Sequence, residues 1–261
     1  MSRYLIWLAV IALTGVAELG CATRADVPPG EAAQNARVRQ LPLIVRPLPE
    51  SRGDTLAVMI TGDGGWGATD RRVSRYLAEY EIPTVGLSSI KYFWTKRTPE
   101  GASADLACLL RHYIEAWHKD KVILIGYSFG ADVLPYMVSR LPEDLQRRVI
   151  LMACLGPSTE ATFQFKFADW IPGKEREDGH PTKPEVERVR RVHGLNVLCV
   201  YGSKEKHSLC PQLDPADAKL IKIPTAHHFH QYLKPIVAEL IRTSAGTPYP
   251  SFSQPRQEID P

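Results

Sequence analysis

The chain has 261 residues, 44% apolar and 23% charged, with a formal net charge of +3. That apolar share excludes a disordered chain, and that charged share excludes a coiled coil; the length suits one globular domain with a large core. Basic and acidic residues are interspersed with no run of five like charges, so no stripe marks a nucleic-acid or polybasic membrane-binding surface.

Met1-Ser2-Arg3 precede Tyr4 to Ala17, a run of 14 residues without a charge. A basic start, a short apolar stretch and small residues at Gly20-Cys21-Ala22 describe a secretory signal. The run is shorter than the about 20 residues that a membrane-spanning helix needs. Cleavage after Ala22 or Ala25 satisfies the small-residue rule. Cys21 also admits a lipid anchor, but Glu18 stands where a lipid-attachment signal wants an aliphatic residue. The expected organisation is a signal peptide at 1–22, a polar linker at 23–40, one domain at 41–243 and a disordered tail at 244–261 rich in Ser, Pro, Gln and Gly.

After the linker, apolar runs alternate with amphipathic ones. Leu43–Leu48 is an opening strand, Thr55–Thr61 a second and Thr84–Leu87 a third, with a helix over Asp70–Tyr80 carrying Val73, Tyr76, Leu77 and Tyr80 at helical spacing. A helix over Ala102–Trp117 is followed by Lys121–Ile125, a strand whose unbroken apolar run implies a sheet covered on both faces. Then come a helix over Ala131–Arg140 that Pro135 must kink or restart, a strand over Arg148–Ala153, and an irregular, aromatic-rich stretch over Gly156–His180. A helix over Glu185–Val192, strands over Asn196–Tyr201 and Leu220–Ile223, and a helix over Tyr232–Ile241 complete the pattern. Such alternation predicts βαβ units and a mainly parallel sheet with helices on both faces, with ligands bound beyond the carboxyl ends of the strands.

Gly126-Tyr127-Ser128-Phe129-Gly130 sits between the strand ending at Ile125 and the helix starting near Ala131. This is the strand-turn-helix setting of a G-x-S-x-G nucleophile elbow, with Ser128 Oγ raised at the top of the sheet. A hydroxyl needs a base, and the base an orienting acid. In this architecture they follow in the order Ser, acid, His. Glu205, in the loop after the strand Asn196–Tyr201, leads as acid by position, with Asp132, Asp214 and Asp217 as weaker alternatives. His227 and His228 stand in the loop after Ile223, and either can serve as base; the small residue before His227 favours it, while His230 falls inside the next helix. No H-E-x-x-H helix and no cysteine cluster supports a metal.

Thr61-Gly62-Asp63-Gly64-Gly65-Trp66 closes the second strand and lacks the Lys-Ser/Thr of a phosphate loop. Oxyanion donors are expected from the N–H of Phe129 and of Asp63 or Gly64. The Asp63 carboxylate either turns away into hydrogen bonds or binds a cationic group of the substrate. Trp66, together with Tyr92, Trp94 and Arg97 of the segment Lys91–Pro99, is expected to line the substrate cleft; the same segment also reads as a packed loop. Phe163–Trp170 falls where a lid would lie. If the chain is exported, Cys199 and Cys210, which flank one strand-to-loop turn, are expected to pair, with Cys108 and Cys154 as buried thiols.

Taken together, Gly62-Asp63-Gly64-Gly65-Trp66, Tyr92-Phe93-Trp94 with Arg97-Thr98-Pro99-Glu100, the elbow with Ala131-Asp132-Val133-Leu134-Pro135, Arg140-Leu141-Pro142, Tyr201-Gly202 with Cys210, and His227-His228-Phe229 resemble the bacterial VirJ virulence family and the related AcvB C-terminal domain. The resemblance spans about Leu43 to Ile241 and departs from the family at Thr225-Ala226, where glycines are usual. It implies an α/β-hydrolase fold, a periplasmic location, hydrolysis of aminoacyl-phosphatidylglycerol by a serine mechanism without a cofactor, and support of type IV secretion. The partners so implied are a phospholipid at the membrane surface and secretion components, with no nucleic acid. A general carboxylesterase and a non-catalytic escort of secretion substrates share the same fold and are the alternatives.

Overall fold

The computed structural model describes residues 30–165 and 178–246. In chain order its elements are α1 (Glu31–Gln40), β1 (Leu43–Arg46), β2 (Thr55–Ile60), α2 (Ala68–Ala78), β3 (Thr84–Leu87), α3 (Ser89–Tyr92), α4 (Pro99–Ala116), β4 (Lys121–Tyr127), α5 (Phe129–Val138), α6 (Glu143–Gln146), β5 (Val149–Leu155), β6 (Glu160–Ala161), β7 (His180–Pro181), α7 (Lys183–His193), β8 (Val197–Gly202), β9 (Lys219–Ile223) and α8 (Leu233–Ser244).

One sheet has the order β1-β3-β2-β4-β5-β8-β9. All of its strands run parallel except β1, which pairs antiparallel with β3. The sequence explains why both faces must be covered. Leu56, Val58 and Ile60 of β2 point into one core, shared with Leu106 and Leu109 of α4 and Val133 and Met137 of α5. Ala57 and Met59 point into the other, shared with Val73 and Leu77 of α2 and Ile236, Val237 and Leu240 of α8. Strand residues alternate between faces, so a strand apolar at every position satisfies two helical layers at once.

This topology locates the site. β3 lies on one side of β2 and β4 on the other. The chain therefore reverses its direction of progress across β2, leaving a crevice beyond the carboxyl ends of β2 and β4. Those ends carry the Gly62–Gly65 loop and the Ser128 elbow.

Several boundaries differ from the sequence reading. The linker at 23–40 ends in a helix, α1, rather than in irregular chain. That helix has no apolar stripe: among its described side chains Gln34 and Val38 are buried, Arg37 pairs with Asp105, and Asn35 Oδ1 lies 2.7 Å from His112 Nδ1. Polar contacts hold it to α4, so hydrophobic periodicity gives no sign of it. α4 starts three residues before the predicted Ala102, because Thr98 caps it through a hydrogen bond from Gly101 N (3.0 Å) and Pro99 opens the first turn. α5 runs through Pro135 without restarting. α8 continues to Ser244, so the predicted tail boundary falls inside a helix. Within the irregular stretch, β6 and β7 form a short antiparallel pair. The predicted signal peptide, Cys21, residues 166–170 of the predicted lid and the tail from 247 onward lie outside the described residues.

Candidate active site

Ser128 sits at the tip between β4 and α5 with φ 51° and ψ −120°, a backbone conformation that L-residues adopt only when the surroundings enforce it. Two glycines do the enforcing. A Cβ on Gly130 would run into the carbonyl of Ile60 at the end of β2, and one on Gly126 would meet Gly130 O and the Ala131 backbone. Any side chain at either place pries strand and helix apart. The Ser128 N–H donates to Leu155 O at 2.8 Å, and Ser128 O accepts from Ala131 N at 2.8 Å, so both sides of the bend are fixed.

The hydroxyl meets an imidazole. Ser128 Oγ is 2.7 Å from His227 Nε2, across 99 residues of sequence. On the far side of the ring, Glu205 Oε1 lies 3.3 Å from Nδ1. A carboxylate only accepts, so the ring proton belongs on Nδ1 and Nε2 is left to accept the serine proton. The Glu205 side chain is buried, and Oε1 has no hydrogen-bond partner among the described residues, which leaves the ion-pair contact with His227 as its one polar contact there. Glu205 raises the His227 pKa above the ordinary histidine value; burial opposes this, and the Asp132 and Asp63 carboxylates add to the rise.

Each partner is held from behind. Glu205 lies between Cys199 of β8 and Cys210, which are joined by a disulfide over a sequence separation of 11; closing a loop of that size is worth about 3 kcal/mol on the chain-entropy account. A Cβ on Gly202 would strike the backbone of Thr225 and Ala226, so the acid-bearing and base-bearing loops touch through a glycine. Gly156 has φ 64°, and a Cβ there would stand 2.9 Å from His227 Cε1. Tyr127 stacks on the His227 ring at 5.8 Å.

The glycine loop after β2 abuts the elbow: a Cβ on Gly62 would lie 3.4 Å from Ser128 Cβ. Gly65 N donates to Gly62 O at 3.0 Å, making a tight turn. The Phe129 N–H is the first of α5 and lies outside the helical ladder. It is a donor at the start of the helix that Ser128 precedes, and the loop carrying Asp63 and Gly64 begins against Ser128 at Gly62. A strained serine bonded to an acid-backed imidazole, next to N–H groups of this kind, is the equipment for acyl transfer.

The profile of the bacterial virulence protein (VirJ) matches residues 54–246. The chain belongs to the VirJ family. No curated protein matches it in sequence. Among solved structures, this VirJ-family chain is similar to the esterase Est1E of Butyrivibrio proteoclasticus with ferulic acid bound (TM-score 0.56, 15% identity, covering 79% of this chain and 96% of that one). It is also similar to an esterase of Pyrococcus furiosus (TM-score 0.52, 11% identity, 74% and 82% covered). At these identities the likeness concerns the fold, which is that of the α/β-hydrolases.

Other sequence-predicted residues of the VirJ-family chain are placed elsewhere. His228 does not reach Ser128: its ring is exposed, with Nδ1 3.4 Å from the Tyr127 hydroxyl. Tyr92 is 1% exposed, and its hydroxyl bonds Asp105 inside the core, so it does not line a cleft. Trp66 lies across Gly86 of β3, where a Cβ would overlap its ring, and packs on the core under α2. The Arg97 guanidinium stacks 4.6 Å over the Tyr92 ring, and its Nε donates to Tyr92 O at 3.2 Å. Trp94 faces outward. Asp132 Oδ1 accepts from Ser158 N at 2.6 Å, tying α5 to the loop after β5; Asp217 binds Arg191 at the far side of α7. Of the described part of the predicted lid, residues 163–165, Phe163 and Phe165 are buried and Gln164 is half-buried. Cys108 and Cys154 are buried free thiols, and burial pushes the Cys154 thiol up to about 12, too high for a nucleophile.

Sequence reasoning missed Tyr127 and Gly156 as supports of the base. Tyr127 was legible as the x residue beside the nucleophile; Gly156, directly after an apolar strand run, carried the ordinary signal of a turn.

The His227–Glu205 contact gives a direct test. In Glu205→Gln the His227 pKa, followed by NMR of its ring protons, falls below its native value, since the largest contribution raising it is gone. A base must be neutral to accept a proton, so the acid limb of the kcat/KM profile moves to lower pH with it, and kcat falls about 10²–10⁴-fold. An unchanged His227 titration sinks the assignment of Glu205 as orienting acid.

Proposed function

We propose that this protein is a serine esterase that hydrolyses the aminoacyl ester of aminoacyl-phosphatidylglycerol. The observation that carries the reading is the 2.7 Å contact of Ser128 Oγ with His227 Nε2, backed by Glu205 at Nδ1. Ser128 Oγ attacks the ester carbonyl carbon while His227 Nε2 takes its proton. The resulting oxyanion is held by the N–H groups of Phe129 and of Asp63 or Gly64, and Glu205 stabilises the imidazolium. As the intermediate collapses, the bond to the glycerol oxygen breaks, His227 protonates that oxygen, and phosphatidylglycerol leaves. Water, deprotonated by His227, then attacks the aminoacyl-Ser128 ester; the bond to Oγ breaks, His227 returns the proton to Oγ, and the free amino acid leaves. The chain's own groups balance both steps.

The substrate class rests on charge as well as on VirJ membership. Asp63 and Asp132 both act on His227 through space, so the reacting centre sits in a negative field. That field favours an ammonium group on the acyl side, as in a lysyl or alanyl ester, and disfavours an acidic acyl group. The Cys199–Cys210 disulfide supports an oxidising compartment, and the periplasm is the location we propose, with a supporting role in type IV secretion.

Incubation with lysyl-phosphatidylglycerol in detergent micelles is expected to yield lysine and phosphatidylglycerol. Asp63→Asn raises KM for this lipid about 5- to 10-fold, the effect of about 1 kcal/mol of partly screened attraction. It leaves KM unchanged for the Nα,Nε-diacetylated lipid, which carries no ammonium. Equal effects on both lipids, or none on either, remove Asp63 from recognition.

A further inference from the structure

Parallel strands deliver their following loops to one edge of the sheet, so the segments after β3 and β8 stand on the Ser128 side. The segment after β3 is tied to the elbow through Phe93, whose ring is 5.3 Å from that of Phe129. Its next residue, Trp94, is 57% exposed and stacks on Phe165 at 6.3 Å. Lys91 and Lys96 flank this aromatic pair and are exposed; across the site, Lys204 and Lys206 are exposed on either side of the buried Glu205. None of these four lysines has an ion-pair partner among the described residues. At the opposite edge, by contrast, Lys121 pairs with Asp54 and Arg148 with Asp120. The two carboxylates nearest the reacting serine are set inward, with the Glu205 side chain 9% exposed and Asp63 half-buried, while Glu160 and Asp178, beyond β5, are exposed. The acids beside the reacting serine are thus turned in, and the four lysines on the loops after β3 and β8 are turned out.

We propose that this edge docks on an anionic bilayer, with Trp94 at headgroup depth and the four lysines on lipid phosphates. Indole suits the boundary between hydrocarbon and water, because its body is apolar and its N–H polar. Each lysine held near an anionic surface is worth about fivefold in binding. Four such charges with one aromatic anchor give reversible attachment, which lets the enzyme release product and move on. The docking rests on the lipid-esterase reading for its purpose: a substrate ester at headgroup level has to meet an upright cleft. The lysines come from two loops far apart in sequence and are joined only by the fold.

Flotation of the mature Ser128→Ala protein with vesicles of phosphatidylglycerol and phosphatidylcholine at low salt tests the docking apart from catalysis. The protein floats with these vesicles and not with phosphatidylcholine alone. Lys91→Glu with Lys96→Glu weakens flotation at least about tenfold, and Trp94→Ala weakens it by a similar factor. In the wild-type background the two lysine changes leave turnover of a water-soluble butyrate ester unaltered, which shows that the fold and catalytic groups are intact. Absence of flotation by the parent, or equal flotation by parent and variants, overturns the docking. A protein that cleaves lysyl-phosphatidylglycerol in micelles but does not float loses the docking and keeps the substrate reading. One that floats but leaves that lipid intact keeps the docking and loses the substrate.

Discussion

Ser128→Ala folds normally and loses about 10⁴–10⁶-fold in kcat toward any ester the wild type cleaves. The size follows from the geometry. Oγ is the hydroxyl bonded to an acid-backed base, directly before the first N–H of α5. Without it, the remaining donors can polarise a carbonyl, but no covalent intermediate forms. The fold survives because alanine keeps the Cβ and the bond from residue 128 N–H to Leu155 O, so the φ 51° backbone is no more strained than before. A fluorophosphonate probe labels the wild type and not the variant. Persistence of the biological role in this variant would favour an escort of secretion substrates over an esterase; retained turnover would remove Ser128 as nucleophile.

The two adjacent histidines separate by a comparable margin. His227→Ala costs about 10⁴–10⁶-fold in kcat, because the nucleophile loses the base bonded to it and the Glu205 carboxylate loses its cation. His228→Ala costs less than about tenfold: its exposed ring touches the Tyr127 hydroxyl at 3.4 Å and contributes at most to the stacking that steadies His227. Steady-state kinetics of the pair, with circular dichroism to confirm folding, decides between them. A His228 variant as impaired as the His227 variant would mean that the loop after β9 turns over before the reaction.

The fold was legible because its strands announce themselves. Runs such as Val122–Ile125 and Leu198–Val200 are apolar at every position and buried on both faces, and only a sheet between helical layers accommodates that. The elbow was legible for a related reason: glycine on either side of a serine, between such a strand and a helix, answers a steric demand that the structure meets at Ile60 and Ala131. The acid and base were legible as positions after strands, and the small residue before His227 already favoured it over His228; what the sequence lacked was the reason, the loop-to-loop backbone contact at Gly202. The aromatic segment misled. Tyr92 looks like a cleft residue in sequence, yet its hydroxyl finds Asp105 and Arg37 completes the cluster, which takes the ring out of solvent. α1 was invisible for the same reason, since it is held by polar pairs and not by a stripe. The lysine rim could not be read from a chain without charge runs, because it exists only once the parallel sheet brings the loops after β3 and β8 to one edge.

The base arrives from the loop after β9, the outermost strand on its side of the sheet. A copy assembled only through β8 therefore carries an alcohol that nothing deprotonates. Unfinished or clipped molecules that lack β9 lack the base, because the pairing joins residues 99 apart along the chain. Assembly of the site thus doubles as a completeness check: Ser128 meets its base only in a molecule closed to its last edge.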